Sequence, residues 1–192
     1  RPSFPRPAPD TNQSTIDAQS NGAAVTILPD ASQFTRLDGF TITRGDTAYG
    51  GGLYCTLGDP TIVNCAFVQN RGAEGGAIYL QAASPTIQTC VFDSNIAVNR
   101  GGAIHAKDYC YPVIERCRFT ACQAQNIDGG AVFADGGGPK ITGCIFEKCS
   151  AQSRGGAVRL WGSDAVLTNN TIFGNTAADG GAVAIQGAAP RL

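Results

Sequence analysis

One repeat constrains this chain more than any other feature. Gly-Gly pairs open successive segments at Gly50-Gly51, Gly75-Gly76, Gly101-Gly102, Gly129-Gly130, Gly155-Gly156 and Gly180-Gly181, in steps of 25, 26, 28, 26 and 25 residues. Each pair is followed by a small residue and then an aliphatic one: Leu53, Ile78, Ile104, Val132, Val158 and Val183. A degenerate earlier copy, Gly22 to Leu28, has Val25 in that place. The second half of the segment has the frame Pro-x-Ile-x-x-Cys-x-Phe-x-x-Asn. It reads PTIVNCAFVQN at 60–70, PTIQTCVFDSN at 85–95, PVIERCRFTAC at 112–122 and PKITGCIFEKC at 139–149. AVLTNNTIFGN at 165–175 and LDGFTITRG at 37–45 are weaker copies.

Each period carries three short β-type runs, none long enough to bury a face alone. Coiled so that equivalent strands stack, they share one core. The expected fold is therefore all-β, a parallel β-helix or β-solenoid of about seven turns. At about 4.8 Å per turn the rod is roughly 34 Å long. Ile62, Cys65, Phe67 and their equivalents are apolar in nearly every copy and point inward. The two-residue gap between Ile and Cys breaks strict alternation and marks a corner. The column Tyr54, Tyr79, His105, Phe133, Arg159 and Ala184 includes an arginine and a histidine, so it is expected on the outer face.

The residues just before Gly-Gly from the second pair on are Glu74, Arg100, Asp128, Arg154 and Asp179. Stacked one turn apart, each charge has opposite neighbours and like charges never touch. Exposed pairs contribute only about 0–1 kcal/mol each, so the ladder serves register: a slip by one turn would oppose like charges.

The repeat spans one domain, 13–192. Residues 1–12, RPSFPRPAPDTN, hold four prolines and read as an arm or linker. The last residues, GAAPRL, match the start of a Pro-x-Ile strand, so the final turn is expected to stop without a cap. With 14 basic and 15 acidic residues interspersed, nothing suggests nucleic acid or an anionic membrane as partner. No apolar run approaches ~18 residues, so membrane insertion by a helix is not expected. The chain contains no methionine, consistent with a processed protein or a fragment.

Eight cysteines suggest an oxidising, extracytoplasmic setting. Cys65, Cys90, Cys117 and Cys144 share one inward column, continued by Asn170. Cys122 and Cys149 take the turn position that Asn70, Asn95 and Asn175 hold elsewhere. Stacked Cα atoms about 4.8 Å apart lie within disulfide reach. Cys122–Cys149 is the leading pair, with Cys65–Cys90 and Cys117–Cys144 as further stackable pairs; the alternative is a column of packed thiols. Cys55 and Cys110 fall two turns apart and are not paired. No Cys or His spacing suggests a metal site.

The Gly-Gly-Ala-[Ile/Val] and Phe-x-x-Asn pair, as in Gly75–Ile78 and Phe92–Asn95, resembles the repeat of chlamydial polymorphic outer membrane proteins. It is also similar to right-handed parallel β-helix regions of large secreted bacterial and archaeal adhesin-like proteins. The resemblance covers about residues 20–190. It implies right-handed coiling, an extracytoplasmic passenger or surface-layer role and no cofactor. Cys122 and Cys149 depart from its pattern at the asparagine place.

Pectate lyases and polygalacturonases share this architecture, so catalysis is a reading to weigh. Glycoside hydrolysis needs two carboxylates about 5–9.5 Å apart across one groove. The ladder acids are instead flanked by arginines, which holds their pKa down and suits structure. No catalytic residues are assigned. His105, the only histidine, has no evident partner acid or nucleophile. The stripe Tyr54, Tyr79, His105 and Phe133 is the candidate binding surface for a glycan or a protein, against the alternative of plain cross-strand packing. Calcium rolls are excluded by the missing nine-residue period. The insertion KDYCYP at 107–112 is a surface bulge. The leading expectation is a non-enzymatic extracellular structural protein whose open ends stack on other copies into a filament or surface layer. The alternative is an adhesin passenger using the aromatic stripe; a pectate-lyase-like enzyme comes third.

Overall fold

The computed structural model describes residues 14–187 and 189–192. The arm expected at 1–12 lies outside the described residues. Every strand-to-strand pairing is parallel, and strands join at one-turn intervals into four sheets. Each full turn runs through them in order. In one turn the chain passes Ile78–Gln81 on the Gly-Gly sheet, Thr86–Gln88 on the Pro-Ile sheet and Val91–Asp93 on the Phe sheet. It then passes Ile96–Arg100 on a fourth sheet before the next Gly-Gly. The Gly-Gly and Phe sheets have seven strands each, the Pro-Ile sheet six and the fourth five. The described residues contain no helix.

Register follows the repeat. Ile62, Ile87, Ile114 and Ile141 pair in sequence, as do Phe67, Phe92, Phe119 and Phe146. The four phenylalanine rings stack nearly parallel at 5.1, 4.7 and 4.6 Å between centroids. These columns, with the aliphatic column of the Gly-Gly sheet and all eight cysteines, fill one continuous core. The corner before each cysteine is a single left-handed residue: Asn64, Thr89 and Arg116 all have φ near +50°. This is the break in alternation expected between Ile and Cys.

The fourth strand was not anticipated. Its members, such as Arg71–Glu74 and Gln123–Ala124, lack an apolar alternation of their own. What forms them is the Gly-Gly pair. Gly75 has φ +63°, and a Cβ there would lie 2.2 Å from the Ile78 carbonyl oxygen; one on Gly76 would lie 2.2 Å from that of Gly102. The pair folds the preceding residues back against the strand that follows and the turn above.

Two interior ladders of polar contacts run along the coil. Asn95 donates Nδ2 to the Phe67 carbonyl at 2.8 Å and accepts from the Asn70 amide at 3.0 Å; Asn70 does the same one turn earlier, to Ile42 and from Gly45. Cys122 and Cys149 keep half of this pattern, with Sγ directed at the carbonyls of Phe92 and Phe119. In the second ladder Cys90, Cys117 and Cys144 direct Sγ at Ile62, Ile87 and Ile114, and Asn170 continues with Nδ2 to Ile141. Cysteine and asparagine exchange places because both reach the carbonyl of the turn before. All eight cysteines are buried and carried as free thiols, so none of the pairs Cys122–Cys149, Cys65–Cys90 or Cys117–Cys144 is closed here.

Candidate functional site

The column Tyr54, Tyr79, His105 and Phe133 does not form an exposed stripe. The side chains do leave the coil on its outer face, and they stack: Tyr54 on Tyr79 at 5.9 Å, then His105 edge-on between Tyr79 and Phe133 at 5.2 and 5.0 Å. Yet Tyr79, His105, Phe133 and Arg159 are each 3% exposed or less, and none belongs to the central core. Only Tyr54 is half-buried. What covers them is the residue before Gly-Gly in the preceding turn. Tyr49 lies 4.9 Å from Tyr79, the Arg100 guanidinium lies 5.5 Å above the Phe133 ring, and Glu74 Oε2 approaches His105 Nδ1 at 3.0 Å, off the hydrogen-bond line. Asp128 Oδ2 meets Arg159 Nε at 3.4 Å.

The charge ladder therefore has two faces. Along the stack, Glu74, Arg100, Asp128, Arg154 and Asp179 follow one another in register. Glu74 and Arg100 approach at 3.5 Å, Arg154 and Asp179 at 3.7 Å, and the Arg154 amide donates to Asp128 Oδ1 at 3.0 Å. Across the stack, the same side chains roof the aromatic column. Burial pushes the Glu74 carboxyl up, but His105, Arg100 and Asn99 together hold it below the usual range. Arg159 is held by Asp128, by Gln186 Oε1 at 2.6 Å and by the Leu160 carbonyl. Asp128 and Arg159 are thus engaged within this layer, while both His105 ring nitrogens are buried without a hydrogen-bond partner.

The exposed rings lie elsewhere, on the edge where the Gly-Gly sheet turns into the Pro-Ile sheet. Tyr109 and Tyr111 are 74% and 58% exposed and Trp161 46%. Tyr109 and Tyr111 sit in the 107–112 insertion. The next turn presents Gly136, Gly137 and Gly138, and the turn after that Trp161. Asp135 pairs in register with Lys107 on one side and Trp161 on the other. Loop hydrogen bonds lock these turns together: Gly138 N donates to the Cys110 carbonyl at 3.1 Å, Gly136 N to that of Trp161 at 2.9 Å and Asp164 N to that of Gly137 at 2.8 Å. A Cβ on Gly136 would lie 3.6 Å from Tyr109 Cδ1, and one on Gly138 would lie 3.5 Å from Tyr111 Cδ1. Both tyrosine rings thus rest within van der Waals reach of the neighbouring turn.

The sequence held a signal for this edge. On the Gly-Gly sheet the outward positions alternate, so Gln81, Lys107, Asp135 and Trp161 share the outer face with the buried column, two residues on. The roof reaches the first outward position and not the second.

An open groove of about 390 Å³ lies at the opposite corner, beside Arg44, Asp46 and Arg71. Arg44 is paired with Asp17 there. Among the described residues no group of three or more His, Cys, Asp or Glu is placed to hold a metal ion, and no helix is long and apolar enough to cross a membrane.

The chain has no match among curated proteins or among solved structures. Residues 12–177 match the family model described as a right handed beta helix region, and with most of its length covered the chain belongs to that family.

Proposed function

We propose that the chain is a non-enzymatic, extracellular β-helical scaffold, a rigid segment of a surface protein that presents its loop edge to partners. One observation carries the reading. Glu74, His105, Asp128 and Arg159, the titratable groups in and over the outward column, are committed to a buried layer that joins turn to turn. Most of the large apolar side chains left exposed among the described residues, by contrast, lie along one edge. The extracellular setting rests on the resemblance of the repeat to those of secreted adhesin-like proteins. The test is incubation of the chain with a panel of acidic and neutral polysaccharides: no product is expected, and turnover of any of them overturns the reading.

End-to-end stacking of copies into a filament or surface layer is the second reading. The parallel ladders favour it, because the columns repeat like on like and another copy's turn could continue them. Negative-stain electron microscopy with sedimentation separates the two. Filaments support stacking, and monomers leave the scaffold reading alone.

A further inference from the structure

We propose that the loop edge built around Tyr109, Tyr111 and Trp161 is a docking surface for a basic segment of a partner protein, one that offers arginine or lysine side chains to the rings. The proposal rests on the scaffold reading and names the partner's chemistry.

Three observations converge on this edge. The first is exposure. Leu28, Phe34, Leu57, Tyr109, Tyr111 and Trp161 make up most of the large hydrophobic side chains that the described residues leave exposed, and all six lie on the loops between the Gly-Gly and Pro-Ile sheets or on the residue just before them. Large apolar side chains gathered along one edge in this way mark an interaction surface. The second is charge. The same loops and the residues that precede them carry Asp30, Asp59, Asp108, Asp135 and Asp164 against one base, Lys107, in a chain that is balanced overall. The third is rigidity. Tyr111 N donates to Ser84 Oγ at 3.0 Å, Ser84 N to Asp59 Oδ1 at 2.8 Å and Ala189 N to Asp164 Oδ1 at 3.1 Å, so successive loops are tied into one surface.

Charge complementarity selects the occupant. Exposed tyrosine and tryptophan faces attract guanidinium and ammonium groups through their quadrupoles, and the aspartates between the rings supply the counter-charge. Tyr109 and Trp161 stand two turns apart, about 9–10 Å at the parallel strand spacing. An extended peptide advances roughly 6.6–7 Å for every second residue, and long, flexible arginine or lysine side chains span the remaining gap of about 3 Å, so basic side chains on one face of a strand reach both ring positions.

Trp161 is the only tryptophan in the chain, so its fluorescence reports on this site alone. The experiment titrates the protein with an acetylated, amidated (Arg-Gly)5 peptide, and in parallel with (Glu-Gly)5 and with cellohexaose. Trp161 emission and sedimentation are followed together. The expected result is a saturable change in Trp161 emission with the arginine peptide only, weakened by added salt. A Tyr109→Ala, Tyr111→Ala double variant with an unchanged far-UV spectrum should bind roughly tenfold more weakly, the effect of losing two exposed cation–π contacts. Asp135→Asn, which leaves every ring in place, should weaken binding and flatten its salt dependence. Absence of binding, or binding of the arginine peptide that leaves Trp161 emission and both variants unaffected, overturns this site while the scaffold reading stands. A response to cellohexaose and not to the arginine peptide overturns it in favour of a glycan. Cleavage of the cellohexaose overturns the scaffold reading as well.

Discussion

Asp128 and Arg159, 31 residues apart in the chain, meet at 3.4 Å in a layer that is neither core nor surface; the arginine side chain is 2% exposed and the aspartate 9%. This contact crosses from one turn to the next, so it clamps the roof of one turn to the wall of its neighbour. Removing one partner leaves a buried charge without compensation. Asp128→Asn or Arg159→Ala is expected to destabilise the fold by about 3–5 kcal/mol. Paired replacement by apolar side chains, Asp128→Leu with Arg159→Met, should cost much less. Urea unfolding of the three variants checks the ordering.

The same layer gives an acid limb. Glu74 titrates below its ordinary value of 4.5 in the folded protein. A depressed carboxylate contributes stability above its unfolded pKa and loses it as pH falls through the folded one. Thermal midpoints should therefore drop below about pH 4.5, and Glu74→Gln should be less stable at neutral pH but flatter across that range. An unchanged acid limb in the variant would place the effect on other carboxylates.

The asparagine ladder predicts a graded series. Asn95→Ala loses the bond to the Phe67 carbonyl and leaves the Asn70 amide without its acceptor. At about 1–3 kcal/mol for a buried group left unpaired, this is a severe change. Asn95→Cys should be milder, because the next two turns already carry Cys122 and Cys149 in this place. Chemical denaturation curves for the two variants compare them directly.

The thiols are expected to be inert in the native state. All eight are buried away from reagent; burial also pushes Cys55 up to about 11, and Cys110 moves in the same direction for the same cause. Iodoacetamide at pH 8 should leave all eight unmodified over a time in which denatured protein reacts fully, read by intact mass. Under a mild oxidant Cys122 and Cys149 are expected to couple with each other, since no third cysteine shares their column. Peptide mapping after digestion would reveal that crosslink or its absence.

How much of this could be read beforehand follows from what a repeat exposes. Ile62, Cys65 and Phe67 recur in four successive turns, so their column and facing are legible from spacing, and the charge alternation from Glu74 to Asp179 marks the register. Aromatic and charged columns that look like surface chemistry are harder to place. Tyr79, His105 and Phe133 do point away from the coil, as alternation demands, but the Gly-Gly hinge turns the preceding residues over them. That roof depends on backbone conformation at Gly75 and Gly76, which no side-chain pattern announces. The exposed edge was hidden for the opposite reason. Tyr109 and Tyr111 sit in an insertion that the other turns lack, and Trp161 stands in a column whose other members, Gln81, Lys107, Asp135 and Gln186, share no chemistry with it.

The alternating column has a consequence for how the rod can change length. Excising one turn would bring Arg100 beside Arg154, or Glu74 beside Asp128, and the roof over the aromatic column would lose its matched partners. Excising two restores opposite neighbours throughout. Charge thus gives the coil a parity: within the ladder the natural unit of insertion or loss is the pair of turns, and variants that gain or lose a single internal turn should be the less stable ones.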